Sequence, residues 1–308
     1  MKKAVFIIIF LAGIFSGCTG NNANEDKSLN DYLKLFNNAN SFQYNLINEE
    51  TFNIDTIANG VTNGSINSYA NSTFERKPYY KSTILTTKET LPNSTVFVKT
   101  IEEFSGDTFE PSRFITYDIK DSDFSIDSKG NITLNKEFEN SIEMQKESLK
   151  GMPLSIKQLN DPFLLIVFLM EQNLDSFQVD ENNKNEFEIV YRGQIKPDTL
   201  VDYYIHDGNE IFKEAFYGNY GGDMTRDALK NETIKNNYNS LVEPLNALLF
   251  TDKPALVTFT VNTKENTYDI IIDITNARNE LYKVMHANTQ AVNVEKRVME
   301  YKNITIKE

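Results

Sequence analysis

Apolar and polar residues alternate early in the chain. Phe42, Tyr44 and Leu46 share one parity, and Phe52 and Ile54 resume it. A two-residue period sends successive side chains to opposite faces, which predicts a strand buried on one side. The same alternation recurs from Ser65 to Phe74, Tyr79 to Thr87, Thr95 to Phe104 and Phe114 to Ile119, with Pro78, Pro92 and Pro111 between the last four runs. Asn59-Gly60 and Asn63-Gly64 are turn dipeptides. Phe124, Ile126, Ile132 and Leu134 flank Asp127-Ser-Lys-Gly130, which predicts a hairpin. Many strands joined by short connections predict an antiparallel meander, because parallel neighbours need long crossovers.

Helical spacing interrupts this pattern. Leu29, Tyr32, Leu33 and Phe36 lie at helical intervals behind Ser28, an N-cap residue, with Asp31 near the positive helix end. That helix ends in Asn37-Asn-Ala-Asn40. Phe138, Ile142, Gln145 and Leu149 mark a second helical stretch, up to Lys150. Asp161-Pro162 opens another, with the acid as N-cap and proline at the first helical position. Its continuation, Phe163 to Met170, is apolar without a break, which predicts a helix buried on several sides as the central core helix against the sheet. It is far shorter than the roughly 20 residues of a membrane span.

The second half repeats the theme. Phe187, Ile189, Tyr191 and Ile195 predict a strand, and Tyr203–Ile205 with Glu210–Phe216 predict a hairpin about Asp207-Gly208. Tyr220-Gly-Gly222 breaks the chain. Ile234, Tyr238, Leu241, Leu245, Leu248 and Leu249 predict a helix kinked or restarted at Pro244. Val257, Phe259 and Val261 form one strand, Thr263-Lys-Glu-Asn266 turns, and Tyr268, Ile270, Ile272 and Ile274 form the next, with Asp269 and Asp273 on its other face. A third strand is predicted near Leu281 to Ala287 and a fourth from about Val294 to Ile306. The fold class is therefore α+β, a large antiparallel sheet wet on one face and packed around a few helices.

The extreme N-terminus reads differently. Lys2 and Lys3 precede an apolar run from Ala4 to Phe15, short for a membrane span and suited to the core of a signal peptide. It closes on Phe15-Ser16-Gly17-Cys18, where small residues give a peptidase access and the thiol can form a thioether to diacylglycerol. This resembles the lipobox of bacterial lipoproteins, with Phe15 where leucine is usual. Cys18 is the one cysteine of the 308 residues, so no disulfide forms within the chain, and acylation accounts for the thiol. Two acyl chains at about 0.8 kcal/mol per buried CH₂ give a stable anchor. Thr19 to Lys27 is small and polar, a flexible tether. The expected organisation is a signal peptide over 1–17, a lipidated cysteine and tether over 18–27, and one antiparallel-sheet domain over 28–308. The location is the extracytoplasmic face of a bacterial cell membrane.

Composition narrows the partners. Hydrophobic residues at 40% suffice for a core, and 12% aromatics with no tryptophan favour sheet. The formal charge of −13 becomes −15 once Lys2 and Lys3 are removed with the leader. Such a body repels phosphate backbones, which excludes nucleic acid. Asn71-Ser-Thr73 and similar triplets follow from the abundance of asparagine and carry no functional weight.

Catalytic constellations are sparse. The chain contains no Gly-x-Ser-x-Gly, His-Glu-x-x-His or phosphate-loop pattern, and its two histidines are His206, beside a turn, and His286, on a predicted strand. Glu49-Glu50 and Glu102-Glu103 invite comparison with glycosidase acid pairs, but neighbours on a strand face opposite ways. Asp121-x-Asp123-x-Ser125-x-Asp127 has alternating oxygen ligands yet lacks the glycine and closing glutamate of a calcium loop. Asp180 to Glu186 reads as a solvated loop. No cofactor or metal is expected.

The order of elements, with Tyr268-Asp-Ile-Ile-Ile-Asp-Ile-Thr275 followed by Asn279-Glu-Leu-Tyr-Lys-Val284, is similar to the late hairpin of LolA-like and LppX-like lipoproteins. That resemblance implies a half-barrel sheet wrapped around helices, with a cavity on its concave face that in some relatives carries acyl chains. Phe163, Val167, Met170, Phe259, Ile270 and Ile272 are the candidate lining residues. The expected function is non-enzymatic binding of a lipid, another apolar ligand or a protein partner. Two alternatives stand beside it: a cell-envelope hydrolase using paired carboxylates, and a structural or adhesive surface lipoprotein.

Overall fold

The computed structural model describes residues 27–56, 60–76, 79–91, 94–106, 124–126, 132–134, 161–183, 185–203, 244–286 and 291–307. Cys18, the Phe114–Ile119 strand, the Phe138–Lys150 helix, His206, the Asp207-Gly208 hairpin and most of the Asp121–Asp127 run lie outside them. Eleven strands and four α-helices are described: α1 (Leu29–Asn38), β1 (Ser41–Thr56), β2 (Gly60–Arg76), β3 (Tyr79–Leu91), β4 (Ser94–Gly106), β5 (Phe124–Ile126), β6 (Ile132–Leu134), α2 (Pro162–Glu171), β7 (Gln178–Val179), β8 (Glu188–Ile195), α3 (Pro197–Asp202), β9 (Ala255–Asn262), β10 (Thr267–Asp273), α4 (Thr275–His286) and β11 (Ala291–Lys307). Short 3₁₀ segments cover Leu174–Ser176 and Pro244–Phe250. No described helix is long and apolar enough to cross a membrane.

The sheet is antiparallel throughout and open at both ends, in the order β4-β3-β2-β1-β11-β10-β9-β8-β7. β5 and β6 form a separate hairpin. The expected meanders are present as β1 to β4 and as β8 to β10. The last strand then inserts between them, pairing with β1 on one side and β10 on the other. Two bulges shape β11. Lys302 and Asn303 oppose single residues of both neighbours, Asn303 takes a positive φ of 53°, and Asp269 Oδ1 accepts its N–H at 2.8 Å. Near Glu295 the pairing with β1 slips again, from Thr51–Lys296 to Phe52–Val294.

The core lies on one face of the sheet. β9 and β10 alternate cleanly, burying Val257, Phe259, Val261, Tyr268, Ile270 and Ile272. α1 begins in a reciprocal capping box between Ser28 and Asp31 and buries Leu29, Tyr32, Leu33 and Phe36. α2 begins at Asp161, whose Oδ1 accepts the N–H groups of Phe163 and Leu164 at 2.9 and 3.1 Å, and it leaves only Leu164 well exposed. Arg76 joins the two helices. Its Nε donates to Asp161 Oδ2 at 2.6 Å, and its Nη1 donates to the carbonyls of Phe36, Asn37 and Ala39 at the end of α1.

Four expectations change. Asn63-Gly64 is not a turn but sits within β2, where Gly64 faces the Phe52 ring and a Cβ would stand 2.6 Å from it. The strand expected near Leu281 is the helix α4. Ala277 and Leu281 turn one side of it into the core, and Asp273 Oδ1 accepts the Thr275 N–H at 2.9 Å at its start. His286 therefore ends a helix. Tyr203 does not begin a strand: it caps α3, which starts at Pro197, and its ring lies 5.0 Å from Phe168. Of the helix expected from Ile234 to Leu249, the described part starts at Pro244 as a 3₁₀ segment burying Leu245, Leu248 and Leu249.

Candidate functional site

The six candidate lining residues come together, but not around an opening. Phe163, Val167, Met170, Phe259, Ile270 and Ile272 are each 0–2% exposed within one cluster. The Phe163 ring lies 4.7 Å from Phe42, 5.0 Å from Tyr44, 5.5 Å from Tyr301 and 5.6 Å from Phe36. Phe259 packs on Tyr32, Phe36, Tyr191 and Tyr268 at 5.9–6.3 Å. These are offset and edge-on contacts of a filled interior. The void beside α2, bounded by Leu165, Ile166, Leu245, Met299 and Tyr301, measures about 10 Å³, no more than one water occupies. An apolar guest at these six residues would have to displace side chains.

The larger opening lies at the end of this core, where α1 begins. A cleft of about 640 Å³ has Leu29 of α1, Leu174 and Phe177 of the 3₁₀ segment, Val179 of β7, and Ile189 and Tyr191 of β8 as its apolar walls. Lys27, Asn30, Asn185, Glu186 and Thr263 form its polar rim. The volume falls in the range of small-ligand sites. Local chemistry fixes each wall. The Phe177 ring fits against Gly193, where an added Cβ would stand 2.5 Å from it. Ser176 Oγ donates to Gln194 O at 2.8 Å and ties the 3₁₀ segment to β8. Asn173, buried, binds Leu169 O, Thr199 Oγ1 and the Lys196 N–H. Tyr191 Oη donates to Lys27 O at 3.0 Å, so the entering chain is pinned to the cleft wall.

The Asp180–Glu186 loop closes one side. It is mostly exposed, as expected, yet it is ordered by its own side chains. Asp180 accepts from Asn183 Nδ2 at 2.7 Å and from Arg192 Nε, and these bonds hold its carboxyl below the usual range. Asn185 Oδ1 accepts the N–H groups of Phe187 and Glu188. Phe187 itself is 43% exposed beside the rim, and Val179 is 37% exposed on it. The sequence signal for this site was the pair Phe177 and Val179, two apolar residues in an otherwise polar stretch.

The paired acids do not cooperate. Glu49 meets Lys296 on the outer face, while Glu50 turns inward and is 4% exposed. Arg278 Nε donates to Glu50 Oε1 at 3.0 Å, Tyr282 Oη donates to the same oxygen at 3.2 Å, and Arg297 Nε lies 3.5 Å from Oε2. This carboxylate fastens α4 to the sheet. Burial pushes the Arg297 guanidinium below its ordinary value, and Glu50 opposes that shift. Glu102 and Glu103 are neighbours on β4. Among the described residues no group of acids, histidines and cysteines is placed to hold a metal ion.

No protein-family model matches this chain, and no curated protein matches it in sequence.

Proposed function

We propose that the chain is a lipid-anchored extracytoplasmic protein that binds an apolar ligand without acting on it chemically. One observation carries the reading: an apolar-walled cleft of about 640 Å³ opens where the chain runs back toward Cys18. The leader supplies the anchor, a thiol in a lipobox-like setting. The sheet and its helices supply a rigid frame, and the cleft supplies apolar surface with a few polar groups at the rim, the usual makeup of a small-molecule site. The half-barrel resemblance supports the same kind of ligand but a different seat. The ligand sits at the α1 end of the core, beside Ile189 and Phe177, instead of among the six residues between α2 and the sheet.

Native mass spectrometry of the protein extracted from membranes tests this. A co-purifying apolar adduct is expected, and it is lost in Ile189→Glu, which puts a carboxylate on the cleft wall while leaving the buried cluster intact. Wild-type protein that carries no adduct, and takes up none from added decanoate, contradicts the proposal.

A further inference from the structure

We infer that the end of the body bearing the cleft lies against the bilayer, so that the cleft opens toward lipid acyl chains. This rests on the binding role proposed above. Three features converge at that end. The described chain begins there at Lys27, with its carbonyl held by Tyr191. Cys18 precedes Lys27 by nine positions, and a fully extended tether of that length reaches at most about 30 Å. The body therefore stays close to the membrane but is not oriented by the tether alone.

Orientation comes from the lips of the cleft. Val179 and Phe187 expose apolar surface side by side with it, at 37% and 43%. Two lysines flank these lips over aromatic rings, Lys264 Nζ at 5.5 Å from the Phe187 ring and Lys27 Nζ at 5.9 Å from Tyr32. Apolar side chains beside amino groups suit the boundary between acyl chains and headgroups. The acidic body, and Glu186 and Glu265 nearby, favour a zwitterionic surface over an anionic one. Leu256 provides an internal reference. It is 52% exposed on β9, six residues from Asn262 and hence about 20 Å farther along the strand from the cleft rim.

The chain contains no tryptophan, so each of Val179→Trp, Phe187→Trp and Leu256→Trp carries a single fluorophore. The full lipidated protein is reconstituted in phosphatidylcholine vesicles whose acyl chains are brominated. Severalfold stronger quenching is expected for Val179→Trp and Phe187→Trp than for Leu256→Trp. All three positions are exposed, so the substitutions leave the core unchanged. Equal quenching at all three, or none at the lips, overturns the orientation. A soluble brominated fatty acid, added without vesicles, separates the two proposals. Quenching of Val179→Trp by the free acid alone keeps the binding cleft and removes its membrane-facing placement. No quenching in either experiment removes both.

Discussion

Glu50 shows how a single buried charge can decide whether an element stays in place. Its carboxylate receives Arg278 and Tyr282 from α4 and faces Arg297 across the strand pair. Glu50→Ala removes the anion the two guanidinium groups share and is expected to cost about 3–5 kcal/mol in denaturant unfolding. Replacing the exposed pair member instead, Lys296→Ala, is expected to cost under about 1 kcal/mol. Two tyrosines set the alkaline limit. Burial raises Tyr32 and Tyr268 above the ordinary 10.0, so their contribution is complete below that value and is lost as pH rises through the higher folded-state value. Absorbance titration is expected to show both ionising late, together with unfolding, and Tyr268→Phe should weaken that dependence. Asp31 works in the opposite direction. The Ser28 hydrogen bonds lower it below 3.8, so its support of α1 is present above that value and fades as pH falls through the folded one.

Elements with local signals were legible from the residues. α1 and α2 each announce themselves by a capping residue, Ser28 or Asp161, before an apolar stretch, and β9 and β10 by strict alternation around the Thr263–Asn266 turn. α4 was hidden because Leu281, Tyr282 and Val284 suit a strand as well as a helix. What settles it is tertiary: Arg278 and Tyr282 sit one turn apart to meet Glu50, and Asn279 serves β11. The Asn279 amide donates to Val294 O at 2.7 Å, and its oxygen accepts the Val294 N–H at 2.6 Å, completing the strand beyond the end of β10. Asn279→Ala leaves both groups without this partner and is expected to cost about 1–3 kcal/mol in thermal or chemical unfolding. Gly64 misled for a related reason. The Asn63-Gly64 pair fits a turn, but here glycine makes room for Phe52 from the neighbouring strand. Gly64→Ala should destabilise by about 1–3 kcal/mol through overpacking, and the loss should shrink in a Phe52→Leu background.

At the scale of the molecule, β11 makes one sheet out of two meanders. Its pairing with β1 spans almost the whole described chain, a long-range register that no local pattern encodes. Ending the chain at residue 290 parts β1–β4 from β7–β10, and the truncated protein is expected to lose cooperative unfolding and resist purification in folded form. The cleft was likewise hidden, since its walls come from α1, the 3₁₀ segment, β7 and β8, which are far apart in sequence. Its place beside Lys27 ties binding to anchoring, so the account stands on the chemistry of one sulfur. The most direct test is the mass of the N-terminal peptide of the protein taken from the membrane fraction. A peptide beginning at Cys18 and carrying diacylglycerol on its thiol is the expected result. A peptide that retains the leader, or a free thiol on protein released to the medium, contradicts it.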